Sequence, residues 1–379
     1  MKIEQPFAFG TLVSEDKFVN RELDKARLIQ NFSSGINTIL ISPRRWGKSS
    51  LVKESARLYQ EQNKKNRVCF IDMFSIRSEE EFYTVLAKEV IKVSSSKWED
   101  WINDSKTFFK QIIPKFSISS GQETDLSLSL DWDDAKQHKD EILNLAENIA
   151  IAKGIKITIC IDEFQNLNSF KDSQSFEKSL RSSWQHHKHV NYCLYGCKRH
   201  MMETIFNKKT SAFYRFGEVM LLQKIEQKHW TPFLLKAFKL LNISIPKEVA
   251  DYISEIVKAH PYYLQQLAYT ISNSGNKEVA YHGVGSAFET MINTNALFYE
   301  KEIEWLSTTQ INLLKAIAEG HYLLSSIHTM RQYKIGTPRN ISKNKRILEQ
   351  MDIIDIANKR IEFIDPVFEQ WFRNTFLSK

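Results

Sequence analysis

The apolar positions change their rhythm along the chain. Thr38 to Ile41, Ile155 to Ile161 and Val190 to Leu194 are short β-branched runs with little alternation, as in strands covered on both faces. Between and around them the period lengthens. After Lys48, positions Leu51, Ala56 and Leu58 recur at near-helical spacing. Phe18 to Phe32 gives an amphipathic helix through Leu23, Leu28 and Phe32, with Asn20 as its expected N-cap. Pro114 to Trp132 alternates apolar and polar residues on both sides of Gly121, which predicts a β-hairpin. From Trp305 the pattern predicts a capped helix ending at Gly320, a short second helix in "SSIHTMRQYKIG", and a third with Thr337 as cap and Pro338 in its first turn. Two alternating strands then flank Asn358 and Lys359. The whole predicts an α/β core with a parallel sheet, followed by helical segments.

Composition narrows the class. A chain of 379 residues accommodates two or three domains, and 42% hydrophobic with 26% charged residues excludes wholesale disorder. The longest apolar runs, about five to eight residues, fall far short of the ~20 that span a bilayer, so no membrane partner is expected. "MKIEQPFAFG" has no basic segment followed by an apolar core, and four cysteines do not make a disulfide scaffold, which together predict a reducing, cytoplasmic location. A net charge of +7 permits an acidic partner without requiring one.

The chemistry begins at "ISPRRWGKSS". The phosphate-loop pattern is Gly, four free positions, Gly, Lys and Ser or Thr. Gly47, Lys48 and Ser49 satisfy it, whereas Ser42 stands at the first glycine position and Pro43, Arg44, Arg45 and Trp46 fill the free ones. Serine lacks glycine's access to positive φ, so the turn at Ser42 is expected to be built differently or under strain. The strand–loop–helix order suits anion binding, since the helix start supplies free N–H groups and a positive dipole end. Lys48 is expected at the β- and γ-phosphates of ATP, Ser49 on Mg²⁺, and Ser50 beside them. Asp162 follows Lys48 by 114 positions and closes the second apolar run, with Glu163 next to it. An acid pair at a strand's carboxyl end suits magnesium–nucleotide chemistry, Asp162 for the metal and Glu163 for the attacking water. The histidines and cysteines between His186 and His200 invite a metal reading, but the apolar run turns Cys193 away from any common centre; core and surface positions are expected instead.

These motifs resemble the P-loop ATPases of the AAA+/STAND group, specifically the small prokaryotic ATPases related to archaeal-type and origin-recognition proteins. Phe18, Arg21 and Glu22 resemble the family's F-x-x-R-E box, and Arg44 to Lys48 its Arg-Arg-x-Gly-Lys loop. The resemblance implies that Arg21 lies beside the adenine, that Cys197 stands where relatives keep a polar γ-phosphate sensor, and that Pro261 of "AHPYYLQQL" contacts nucleotide. It also implies an arginine finger at Arg215 and a C-terminal winged helix-turn-helix. A thiol donates more weakly than a hydroxyl, so sensing through Cys197 is expected to be weak.

The expected organisation is a P-loop αβα core over 1–225, a helical lid over 226–297 and the winged helix over 298–379. The third C-terminal helix presents Arg339, Lys343, Lys345 and Arg346, and the hairpin adds Lys359 and Arg360, a surface suited to duplex DNA. Two functions stay open. One is a Mg²⁺-dependent ATPase switch, with Glu163, Lys48 and Arg215 catalytic, whose winged helix binds DNA. The other is a weakly or non-hydrolysing ATP-binding scaffold whose winged helix binds a protein partner or a second copy. Glu163 favours the first; Ser42 and Cys197 favour the second.

Overall fold

The computed structural model describes residues 5–11, 18–94, 117–121, 125–129, 138–357 and 360–377. It divides into two compact units, one of Arg21–Arg44 with Lys48–Gln223, the other of Met1–Asn20, Arg45–Gly47 and Lys224–Lys379.

The first unit holds a five-stranded sheet, β1 (Thr38–Ile41), β2 (Asn66–Asp72), β5 (Lys156–Asp162), β6 (Val190–Gly196) and β7 (Glu218–Leu221), in the order β2-β5-β6-β1-β7. Every pairing is parallel. Burial explains the apolar runs: all four residues of β1 and all seven of β6 are buried. Helices on the sheet are α1 (Glu22–Ser34), α2 (Lys48–Gln62), α3 (Glu79–Ser94), α4 (Lys139–Lys153), α5 (Ser173–Trp184) and α6 (Arg199–Asn207). The core between them joins Ile39, Ile41, Ile159, Ile161 and Leu194 of the strands to Leu86, Val90, Ile149 and Leu180 of the helices. Strands β3 (Ser117–Gly121) and β4 (Asp125–Ser129) pair antiparallel, as the alternation around Gly121 predicts.

At α1 the local reading is corrected. The cap position belongs to Arg21, whose φ of 87° places it in the left-handed region, and no side chain caps the helix. Leu23 is 87% exposed; Leu28, Asn31 and Phe32 make the buried face.

The second unit is built from α7 (Gln227–Leu240), α8 (Lys247–Ile256), α9 (Pro261–Ser272), α10 (Tyr281–Glu304), α11 (Thr308–Ala318), α12 (Ile327–Tyr333), α13 (Pro338–Gln350) and α14 (Pro366–Phe376), with the antiparallel pair β8 (Ile354–Ala357) and β9 (Arg360–Phe363). The helix starts follow the sequence signals. Ser307 and Gln310 form a capping box, and Ser326, Thr337 and Asp365 each accept a backbone N–H of the helix they open. One continuous core runs from Trp230 and Leu234 through Leu264 and Leu267 to Leu313, Leu348 and Phe372. Among the described residues no helix is long and apolar enough to cross a membrane.

Two imidazoles are held neutral. Burial pushes His187 down to about 4 against the pull of Glu147, and burial with Arg45 and Lys224 nearby pushes His260 down to about 3. The unfolded chain, with histidines titrating near ~6.5, binds more protons than the folded one below that pH. Stability is therefore expected to be complete above about pH 6.5 and to fall progressively as the pH drops towards 4. Urea unfolding midpoints followed by circular dichroism from pH 7.5 to 4.5 check this; a His187→Gln variant should show a shallower decline.

Candidate nucleotide site

Three neighbouring strands end on the same side of the sheet and deliver the candidate residues. β1 leads into Ser42, β5 into Asp162 and Glu163, and β6 into Cys197, with Ile41 opposite Gly196 and Ile161 opposite Leu194. Parallel strands that stop level with one another leave a crevice at their carboxyl ends, where ligands bind in open α/β sheets.

Ser42 is completely buried, its N–H donating to Gly196 O at 3.3 Å and its hydroxyl to Pro43 O at 3.1 Å. Its backbone does not enter the left-handed region; Arg45, at φ 63°, and Gly47, at φ 85°, do. The strain expected at Ser42 thus lies three residues further on, and serine there leaves the loop free to turn.

Helix α2 begins at Lys48, whose side chain is 7% exposed and whose ammonium donates to Asp162 Oδ1 at 2.6 Å and to Glu163 Oε1 at 2.9 Å. Ser49 Oγ donates to Asp162 Oδ2 at 2.7 Å. Burial opposes the charge on Lys48, but the two carboxylates outweigh it and hold its pKa above the ordinary lysine value. Glu163 shows the converse: burial pushes it up, and Lys48, Gln165 and Cys197 together hold it below the usual carboxylate range. Its backbone is left-handed, φ 50°. Strained backbone of this kind persists where surrounding contacts over-determine it, as at functional sites.

Cys197 is buried and donates its S–H to Glu163 Oε2 at 3.1 Å, while Arg44 Nε donates to its sulfur at 3.4 Å. Burial, with the nearby Glu163 carboxylate, pushes the thiol up to about 11. Gln165 donates from Nε2 to Glu163 Oε2. Nothing in the sequence pattern marked Gln165; its two-residue spacing from Glu163 becomes meaningful only because a 3₁₀ turn over Phe164–Ser169 folds it back.

The other candidates sit elsewhere. Arg45, Trp46 and Gly47 group with the helical unit. There Arg45 Nη1 donates to Tyr263 Oη at 2.6 Å and stacks 4.7 Å over the Tyr262 ring, and Trp46 meets His260 edge-on at 6.4 Å, around Pro261 at the start of α9. Tyr263 donates in turn to Asp365. Arg21 is buried and donates to Gln223 O at 2.6 Å and Asp24 at 3.3 Å. Pro43 and Ser50 are buried at the two ends of the loop. Arg215 is exposed, left-handed at φ 53°, and lines a cavity of about 330 Å³ with Ile39, Phe206, Tyr214 and Val219 that includes no loop residue. On α13, Arg339, Lys343 and Arg346 are exposed and lie at helical spacing on one face, with Lys345 half-buried beside it. Arg360 is exposed on β9; Lys359 lies outside the described residues.

A buried lysine bridges an acid pair, and a serine hydroxyl donates to the same aspartate, all at the carboxyl ends of parallel strands. Residues 18–196 match the family model described as predicted AAA-ATPase. Solved structures agree on the fold. A Walker-type ATPase of Pyrococcus abyssi is 17% identical and superposes with a TM-score of 0.69 over 97% of this chain and 99% of its own. The ORC2 protein of Aeropyrum pernix, solved with ADPNP and ADP, is 12% identical with a TM-score of 0.59 over 98% and 100%. The ORC1 protein of the same organism, solved in complex with DNA, is 11% identical with a TM-score of 0.50 over 95% and 94%. No curated protein matches the chain. The chain thus has an α/β fold with a five-stranded parallel sheet that matches these ORC-like P-loop ATPase structures.

Proposed function

We propose that this protein is a Mg²⁺-dependent ATPase of the AAA+/STAND group that acts as a nucleotide-controlled switch in the cytoplasm. In this reading residues 1–225 are the ATPase core, 226–297 a helical lid, and 298–379 a winged helix-turn-helix that contacts duplex DNA, with α10 joining the last two. The observation that carries it is the cluster of Lys48, Ser49, Asp162 and Glu163. The donor set fits magnesium. Ser49 Oγ and Asp162 Oδ2 lie 2.7 Å apart, two hard oxygens of the kind that Mg²⁺ prefers, on residues that are only half-buried. When bound, the ion neutralises charge on the phosphates. Lys48 turns from the acid pair towards the β- and γ-phosphates. Glu163 takes one proton from the attacking water, whose oxygen bonds to the γ-phosphorus as the bond to ADP breaks. Arg21, Pro43 to Trp46, Ser50, Cys197 and Pro261 are assigned to nucleotide contact, and Arg215 to an arginine finger.

A second reading is supported by Glu163 itself. Both of its oxygens accept hydrogen bonds from neighbouring side chains, and a carboxylate held below its ordinary pKa is a weak base. A slow or non-hydrolysing ATP-binding scaffold, with a protein or a second copy as partner, would show these properties. ATP turnover by the purified protein, with and without duplex DNA, separates the two.

The DNA assignment rests on the face of α13. If Arg339, Lys343 and Arg346 meet phosphates, each contact releases counterions and log K falls with log salt by about 0.9 per phosphate contact. Replacing Lys343 and Arg346 by Glu should then weaken duplex binding at least about 100-fold near 100 mM salt and flatten that slope by about two units, with ATP binding retained. Fluorescence anisotropy across a salt series measures both. Duplex binding that is absent at low salt, or indifferent to the reversal, removes DNA from the function and favours a protein partner.

A further inference from the structure

Glu163 is gripped from three directions, and one grip belongs to a residue with no other task. Gln165 is 1% exposed. Its Nε2 donates to Glu163 Oε2 and lies 3.8 Å from the Cys197 sulfur, whereas its own Oε1 has no hydrogen-bond partner. A buried amide with an unpaired oxygen works against folding, so the side chain is unexplained by stability. The fold nevertheless makes room for it. A Cβ at Gly196 would stand 1.9 Å from Gln165 Oε1, so the seat exists only because β6 ends in glycine. The two oxygens of Glu163 are also unequally held: among the described residues Oε1 accepts from Lys48, and Oε2 accepts from both Gln165 and Cys197.

We propose that Gln165, seated against Gly196, is a positioning residue that pins Glu163 through Oε2 and reserves Oε1 as the oxygen that receives the water proton. The inference rests on the ATPase reading. While Lys48 donates to Oε1, the base is silent. Once Lys48 turns to phosphate, Oε1 is uncovered, while Gln165 and Cys197 keep the carboxylate from swinging after the ammonium. One contact thereby couples occupation of the phosphate site to arming of the base, and the left-handed backbone at Glu163 fixes the direction in which Oε1 faces.

The test reads Glu163 directly. Side-chain carboxyl carbon NMR of the nucleotide-free protein, with the Glu163 signal assigned by its loss in Glu163→Gln, gives the pKa of that group alone. Gln165→Met keeps the shape and deletes the donor, and should raise the Glu163 pKa by about one unit, the tenfold change in proton affinity that one hydrogen bond to a charged group is worth. Gly196→Ala evicts the Gln165 oxygen without touching Glu163 and should raise it likewise. Cys197→Ser supplies a stronger donor and should lower it. In turnover, Gln165→Met should reduce kcat about tenfold or more, leave the ATP dissociation constant within about threefold, and move the acid limb of the pH profile upward. A merely structural glutamine would not move that limb. A Glu163 pKa that stays at its wild-type value in both Gln165→Met and Gly196→Ala overturns the proposal even if ATP is hydrolysed. Wild-type protein that binds ATP without hydrolysing it, while the pKa moves as described, overturns the ATPase reading and leaves the Gln165–Glu163 contact standing.

Discussion

Lys48→Ala is expected to abolish measurable ATP binding while leaving the protein folded. In the proposed site the ammonium is the buried cation that would meet the β- and γ-phosphates, and a hydrogen bond to a charged group is worth ~1.5–3 kcal/mol. A loss of about 3 kcal/mol corresponds to a factor of more than about 100 in affinity. The effect on the empty protein has a different origin. Lys48 bridges Asp162 and Glu163, which are 19% and 21% exposed, so removing it leaves two carboxylates facing each other without a counter-charge. Both retain contact with water and can be hydrated, so the fold survives. Calorimetric titration of Mg-ATP into the variant, with circular dichroism as a folding control, checks both statements. Binding at wild-type affinity would show that the loop does not hold phosphate.

Glu163→Gln is expected to separate binding from turnover. The amide matches the carboxylate in size but cannot take a proton from water, and removal of a general base lowers rates by about 10²–10⁴. Its effect on binding should be small, because the proposed phosphate contacts are assigned to Lys48 and the loop rather than to Glu163. The geometry adds a detail: Oε1 faces the Lys48 ammonium and Oε2 faces the Gln165 amide and Cys197 thiol, all donors. A glutamine can present its oxygen to only one side, so its NH₂ must face a donor and the side chain is pushed out of its seat. Steady-state hydrolysis equal to wild type, with tight ATP binding intact, would remove Glu163 from the chemistry and leave the scaffold reading in front.

The elements that the sequence disclosed are those whose cause is local. The buried runs Thr38–Ile41 and Ile155–Ile161 read as covered strands, and the caps at Ser307 and Thr337 act within three residues of themselves. The meeting of Lys48 with Asp162 was legible because two spaced motifs imply one crevice. What stayed hidden depends on distant backbone. The seat of Gln165 is set by Gly196, 31 positions away on another strand. The left-handed turn of the loop fell on Arg45 rather than on Ser42, whose N–H is tied to Gly196 O, a bond that no motif encodes. Arg45 finds Tyr263 across 218 positions of chain. The cap of α1 went astray for a related reason, because Arg21 is held by Gln223 O at the far end of the unit.

The strand order carries a consequence for how the molecule is made. β1, which bears the phosphate loop, pairs with β6 and β7 and not with β2, the next strand in the chain. Asn37, at its head, waits for Tyr192, 155 residues later, to donate to its side chain. On a ribosome adding about 5–20 residues per second, this interval lasts on the order of ten seconds or more. Through that time the apolar strand "TILI" has no neighbour on either side and is exposed to pairing with the wrong one. Such distant partners also slow folding once the chain is complete. The loop is therefore expected to be among the last parts of the first unit to take shape, and ATP, by binding only the finished loop, to act as a ligand that traps the completed sheet.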